Sequence, residues 1–201
     1  MTNVSIAQAS PYSLAGAKLN LMAVGDIAHS IAGSNRQGIV EDTFSKLWQS
    51  TNNRFSHEYT YEAKMGDKTL GIITCLPITR LEQLVSSTAK QLLSYRKLGL
   101  LVYNLLHPIA LYSTITLKEG FKGEYHIASL AAIPESRGMG IGSQLIHHAE
   151  RQAIQQGYNV VSLTVKKENH RAAKLYSRLG YEITSEENKP AFSLYRMVKN
   201  I

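Results

Sequence analysis

Gly138, Gly140 and Gly142 stand at alternate positions between an apolar run, Tyr125 to Ile133, and an amphipathic stretch from Ile141 to about Gln156. Glycine lets the main chain approach a ligand closely and adopt angles that a Cβ forbids. The first N–H groups of a helix lack internal partners and point outward at the positive end of its dipole. A glycine-rich turn that opens a helix is therefore an anion seat, most often for phosphate. A dinucleotide turn would want a third glycine where Ser143 stands, and an acid at the end of the next strand, where Thr164 and Val165 stand. A nucleotide P-loop would want Gly-Lys-Ser/Thr, which is absent.

A second cationic feature follows. Lys166, Lys167, Arg171, Lys174 and Arg178 crowd one stretch with only Glu168 against them, within a chain of net charge +7. A phosphate-rich cofactor explains that excess as well as nucleic acid does, and no nucleic-acid partner is expected. The 201 residues are 44% hydrophobic and 18% charged, ordinary globular values that predict one domain, without repeats or low-complexity tracts. The single cysteine, Cys75, lies in an apolar run and reads as an inert core thiol in a reducing compartment. Met1 to Ile6 lacks the pattern of a secretory leader. Gly99 to Tyr112 is too short and too interrupted, by Asn104, His107 and Pro108, to cross a bilayer. A cytoplasmic protein without a membrane partner is expected.

The elements that must position the turn follow from periodicity. Leu19 to Ile31 and Ile39 to Trp48 carry helical apolar spacing and read as two helices joined by Gly33–Gly38. His57 to Met65, Gly66-Asp67 and Thr69 to Ile78 read as a β-hairpin. From Arg80 to about Lys118 the chain turns helical, with a stripe of Leu81, Leu84, Val85, Ala89, Leu92 and Leu93, and Pro108 ends or kinks the more apolar second part. Then come a strand (Tyr125–Ile133), a helix stopped by Gly157, a strand (Asn159–Val165), a short helix capped by Asn169 and ended by Gly180, and two last strands. Those strands are Glu182–Thr184 and Phe192–Val198, separated by a polar turn, Ser185–Lys189. Alternating strands and helices predict an α/β sheet of mixed direction.

Arg137-Gly138-Met139-Gly140-Ile141-Gly142 resembles the Arg/Gln-x-x-Gly-x-Gly/Ala signature of the GNAT superfamily of acetyl-CoA-dependent N-acyltransferases. Leu130-Ala131-Ala132-Ile133-Pro134 is similar to that family's strand end, with Ala132 where a larger aliphatic residue is usual. Asn169 to Tyr181 resembles its Asn-x-x-Ala-x-x-Leu-Tyr-x-x-x-Gly-Phe/Tyr motif. The resemblance covers about residues 124–198. It implies a GNAT-like, mixed and mostly antiparallel central sheet with a splayed cleft, flanked by helices. Residues 1–201 would form a single such domain with a helical insertion at about 80–118.

The resemblance also implies roles. The N–H groups of Arg137, Gly138, Met139, Gly140, Ile141, Gly142 and Ser143 would hold the pyrophosphate of acetyl-CoA. The backbone of Leu130, Ala131 and Ala132 would align the pantetheine arm as though it were another strand. A main-chain N–H near Leu130 would polarise the thioester carbonyl. Asn169 would touch the cofactor as well as cap its helix. Tyr176 stands at the family's position for protonating the departing thiolate. An attacking amine must first lose a proton. The candidate bases are His126, eleven positions before Arg137, and Glu124, two residues earlier on the same strand face; water alone is the third reading.

No metal is called for. Trp48 reads as core, and the adjacent His147 and His148 as solvated helix residues rather than ligands. His57 to Glu62 reads either as lining the acceptor side or as a solvent-facing edge. The Arg80–Lys118 segment reads as a lid that narrows acceptor choice, or as added core or a homodimer face. The expected function is transfer of acetyl from acetyl-CoA to a small-molecule or peptide/protein amine in a ternary complex. A non-catalytic acetyl-CoA sensor is the alternative.

Overall fold

Seven strands form one sheet in the computed structural model, which describes residues 4–201. The start of the segment read above for a leader lies outside the described residues. The strands are β1 (Ser5–Gln8), β2 (Thr60–Met65), β3 (Lys68–Pro77), β4 (Tyr125–Ala132), β5 (Val160–Lys166), β6 (Glu182–Lys189) and β7 (Phe192–Asn200), in the order β1-β2-β3-β4-β5-β7-β6. Among the described residues only the β4–β5 pair is parallel. The mixed, mostly antiparallel sheet is as expected.

Helices cover both faces. On one side, α7 (Ile141–Gln155) buries Ile141, Leu145, Ile146, Ala149 and Ala153 against Ile73, Tyr125, Ile127 and Leu163. That spacing is one face of a 3.6-residue period. On the other side, α1 (Leu14–Val24) and α3 (Gln37–Gln49) bring Ala17, Leu19 and the fully buried Trp48 onto Ile72 and Ala131. The Trp48 indole N–H donates to the Ser10 carbonyl at 3.0 Å, so the ring is both packed and satisfied, in the core as expected. The thiol of Cys75 is buried and pushed up to about 12 by that burial, which fits an inert core cysteine.

Four boundaries depart from the periodicity. The helix expected over Leu19–Ile31 is two, α1 and α2 (Ile27–Ala32), because Gly25 at φ 63° ends the first after Val24. His57–Tyr59 forms a 3-10 turn before β2, capped by the Ser56 hydroxyl. β1 is only four residues long, too short for its pattern to betray it, yet it covers the far edge of β2 and packs Ile6 on the core. The stretch Ser185–Lys189, expected as a turn, belongs to β6. That strand lies at the sheet edge and is mostly exposed, so polar residues suffice and the ladder to β7 alone holds it.

The region read as Arg80–Lys118 begins at Ile78 and forms three helices, α4 (Ile78–Arg96), α5 (Leu98–Leu106) and α6 (Pro108–Ile115). Lys97, at φ 48°, separates α4 from α5. Pro108 takes the first turn of α6, where its missing N–H costs nothing, and α5 and α6 are bent by 100° at that point. Leu81, Leu84 and Leu92 of α4 are buried, whereas Val85 and Leu93 are 57% and 42% exposed. Among the described residues no single helix is long and apolar enough to cross a membrane.

Candidate active site

The site is made where β4 and β5 part. Their parallel register runs Tyr125↔Val161, His126↔Ser162 and Ile127↔Leu163 and stops there, although β4 continues to Ala132 and β5 to Lys166. The irregularity is in β4. Thr74 pairs with Ser129 and Cys75 with Ile127, which leaves Ala128 as an extra residue. Such a bulge bends its strand and sharpens the local twist. Beyond it the β5-facing edge of β4 has no strand partner, so part of its N–H and C=O row opens into a cleft. Leu130, Ala131 and Ala132 line that cleft on one side, and Thr164, Val165 and Lys166 on the other.

The glycine turn closes one end. Pro134–Ser136 forms a 3-10 turn, Gly140 sits at φ 72° and α7 begins at Ile141. A side chain at Gly140 would force a left-handed backbone on an L residue. Of the seven N–H groups assigned to phosphate, two are taken up within the turn. Arg137 donates to the Pro134 carbonyl and Met139 to the Ser136 carbonyl, each at 3.1 Å. The N–H groups of Gly138, Gly140, Ile141, Gly142 and Ser143 make no backbone hydrogen bond among the described residues. These five are the donors left for an anion, in the field of a fifteen-residue helix. Arg137, Lys166, Arg171 and Arg178 line the same cavity.

α8 (His170–Arg178) forms the wall across from β4. Asn169 caps it, accepting the Ala172 N–H at 3.2 Å on Oδ1, while its amide nitrogen stays available to a ligand on the cavity wall. Tyr176 lines the cavity, its ring edge-on to Tyr181 at 6.1 Å. Its hydroxyl makes no hydrogen bond to any described residue and is not sealed from the cavity. Burial of the ring pushes the phenol up to about 12, so it stays protonated at neutral pH.

The two candidate bases do not reach the wall. The cavity lining includes neither His126 nor Glu124. His126 is fully buried, with Nδ1 3.0 Å from Ser162 Oγ and Nε2 without a partner. Burial drives its pKa down to about 4, Glu119 and Glu124 opposing that shift and Arg54 and Arg196 reinforcing it. Glu124 is held in an ion pair with Arg196 and accepts the Phe121 N–H at 3.1 Å. Two carboxylates do line the cavity, Glu82 on α4 and Glu119, the latter 2.8 Å from the Arg54 guanidinium and beside β4. Burial works against the charge of Glu119, but Arg54 and then His126 outweigh that and hold it below the usual carboxylate range. No spacing in the sequence pointed to Glu119 or Arg54. They lie 65 positions apart in loops, and only the fold brings them together.

His57–Glu62 is neither an acceptor wall nor a solvent-facing edge. Glu62 is buried between Ser13 and Lys64 (2.8 Å), and Tyr59 takes two hydrogen bonds from Arg80. His147 is half exposed and pairs with Glu150 at 2.9 Å, as expected of a solvated helix residue, whereas the His148 ring is tilted against Tyr61 at 4.3 Å with its Nε2 buried; the two point apart and form no ligand pair. No cluster of three metal-ligating side chains occurs among the described residues.

The chain is 41% identical over 68 residues to an uncharacterised N-acetyltransferase of Methanocaldococcus jannaschii, a match covering 34% of this chain and 28% of that protein. The chain thus spans little more than a quarter of that relative's length. The fold is similar to that of an N-acetyltransferase from Staphylococcus aureus Mu50, at TM-score 0.70 and 22% identity over 97% of this chain and 100% of the other. It is also similar to that of Arabidopsis thaliana Naa50 in complex with the bisubstrate analogue CoA-Ac-MVNAL, at TM-score 0.53 and 18% identity over 98% and 99%. The acetyltransferase (GNAT) family model matches residues 31–181, three quarters of the sequence, including β4, the glycine turn, β5 and α8, and the chain belongs to that family.

Proposed function

We propose that this protein is an N-acetyltransferase that moves acetyl from acetyl-CoA to a primary amine by direct attack in a ternary complex. The observation that carries the reading is the meeting of three unlike features on one cleft. These are the free N–H groups at the start of α7, the unpaired edge of β4 and the unpartnered hydroxyl of Tyr176.

Acetyl-CoA supplies the acetyl group as a thioester, whose C–S bond breaks as the new C–N bond forms. The N–H groups of Gly138, Gly140, Ile141, Gly142 and Ser143, with Arg137, Arg171 and Arg178 around them, hold the pyrophosphate. The edge of β4 from Ala128 to Ala132 offers main-chain groups to the amide-bearing arm, and Asn169 adds its side-chain amide. Tyr176, neutral and hydrogen-bond-free, gives its proton to the departing sulfur.

The attacking amine must shed a proton toward solvent. His126, neutral and walled off, is a poor acceptor at a pKa near 4. Glu119, paired with Arg54 and held below the usual carboxylate range, is a weak proton acceptor as well, and water carries the proton away. The helices α4–α6 serve as the lid that narrows acceptor choice, and their residues share the cavity with the glycine turn. The free thiol of Cys75 fits a cytoplasmic setting.

The test is release of CoA thiol from acetyl-CoA against polyamines, amino sugars, amino acids, arylamines, alkylamines and peptides with free N-termini or lysines. Release with one class, lost in Tyr176→Phe, establishes the activity. Stabilisation by acetyl-CoA with no release from any amine points instead to an acetyl-CoA sensor.

A further inference from the structure

One cavity of about 1940 Å³ runs from the glycine turn, past β4, into the space enclosed by α1, α2, α4, α5 and α6. A site for one drug-sized ligand is typically about 300–1,000 Å³. The cavity is therefore large enough for two ligands, and its two ends differ in kind. The turn end is lined by Arg137, Lys166, Arg171 and Arg178. The far end is lined by large apolar side chains, among them Met22, Val85, Leu93, Leu101, Leu105 and Ile115, which are 42–80% exposed and border the same hollow. Apolar side chains gathered in this way around one hollow that is continuous with the cleft mark a binding surface.

We infer that the acceptor is a primary amine carried on an apolar body, aliphatic or aryl, which lies in this chamber with its nitrogen toward β4. The inference rests on the N-acetyltransferase reading above. Its grounds are continuity and charge. The chamber opens into the cleft where the acyl group must be presented, so whatever lies in it has one end at Tyr176 and β4. The donor's acetyl is two carbons and needs little of the space, and the donor's phosphates belong at the basic end. Charged groups at the chamber end are few. Arg54 and Glu119 neutralise each other beside β4, and Glu82 and Lys118 are the others. A polyamine or an amino sugar would have to leave several charges or hydroxyls against leucine and isoleucine without partners. An alkyl or aryl group replaces water there favourably.

The experiment measures kcat/KM for thiol release with primary n-alkylamines of increasing length, at saturating acetyl-CoA, beside phenylalkylamines, spermidine, glucosamine and a peptide with an apolar N-terminal residue. Each methylene seated in the chamber raises kcat/KM roughly fourfold, the free energy of burying one CH₂. Leu101→Asn and Leu105→Gln, at largely exposed positions where the fold does not depend on the side chain, flatten that series. Calorimetry of the same amines with CoA present reads binding apart from turnover.

Turnover confined to spermidine or glucosamine, or a flat alkyl series, overturns the inference and leaves the acetyltransferase activity standing. Affinity that climbs with chain length in the absence of thiol release upholds it while removing the catalytic reading, and no binding of any alkylamine overturns it. A rate that rises instead with the acyl chain of the donor assigns the chamber to the donor and overturns it as well. So does preference for the peptide over every alkylamine, or a dimer in sedimentation whose interface seals the chamber.

Discussion

The two ends of the cleft are built from different materials. At the glycine turn the binding groups are main-chain N–H donors, and the side chains matter for what they lack: a Cβ at Gly140 is strained by its backbone angle. In the chamber most of the backbone is folded away into helices, and apolar side chains make up most of the lining. A site made of backbone demands particular residues at particular positions. A site made of apolar side chains demands only bulk and apolarity, which leucine, isoleucine, valine and methionine supply interchangeably. The first leaves a signature in a sequence and the second leaves none.

Substitutions at either end and at the centre can break that contrast. The largest effect is expected at the centre. Tyr176→Phe should lower kcat by about 10²–10⁴-fold with little change in the KM for acetyl-CoA, because the lost hydroxyl has no structural hydrogen bond. A proportional rise in KM would make Tyr176 a binding residue instead. Gly140→Val comes next. A β-branched residue at φ 72° costs about 1–3 kcal/mol of strain and displaces the donors on either side. It should raise the KM for acetyl-CoA at least tenfold and leave the KM for the amine alone. Equal damage to both constants would show that the two ends are not separable.

Two further tests concern the groups between the ends. His126 is buried with its pKa lowered to about 4, so the folded state resists taking up its proton. Its contribution to stability is fully present above an ordinary histidine value of about 6.5 and is lost as pH falls toward 4, on the order of 3 kcal/mol. Denaturant midpoints of the wild type should therefore fall over that window, and His126→Gln should remove much of the fall. The same shift predicts no acid limb near pH 6.5 in kcat/KM, and such a limb would restore His126 as the base. The smallest effect is expected for Glu119→Gln, which leaves Arg54 underpaired and costs about 1–3 kcal/mol at neutral pH. Because the Glu119 carboxyl is held low, that deficit relative to the wild type should shrink once the pH drops through the carboxylate range. A deficit that persists unchanged into acid would mean the ion pair contributes nothing.

Most of the second half of the molecule was legible. The strand into the turn, the helix out of it, the Asn169 cap and the Tyr176 position all follow from local pattern, since each depends on neighbours within a few residues. The misses have a common cause. The stretch Ser185–Lys189 is polar and becomes a strand only through the hairpin ladder to β7, and the edge strand β1 is four residues long and pairs with β2, far along the chain. Glu124 and His126 looked like bases because alternation placed them on one face, but that face turned out to be interior, filled by Arg54, Arg196 and Ser162 from other segments. Glu119 and Arg54 meet only through the fold. The length of the helical region was readable; that its outer residues border a hollow was not, because an exposed and an enclosed leucine look alike in a sequence.

The extra residue at Ala128 has a consequence for how the chain finds its place. Before it, Tyr125 and Ile127 face α7 and its cluster; after it, Leu130 and Ala132 do, and Ala131 turns toward Trp48. The strand thus carries two opposite parities joined in the middle. Much of it is alanine and serine, side chains too small to hold a register by bulk. A slip of one position would suit one half and turn the other inside out, so no sliding of β4 along β3 satisfies both. The irregularity that parts β4 from β5 on one side also locks β4 in position against β3 on the other.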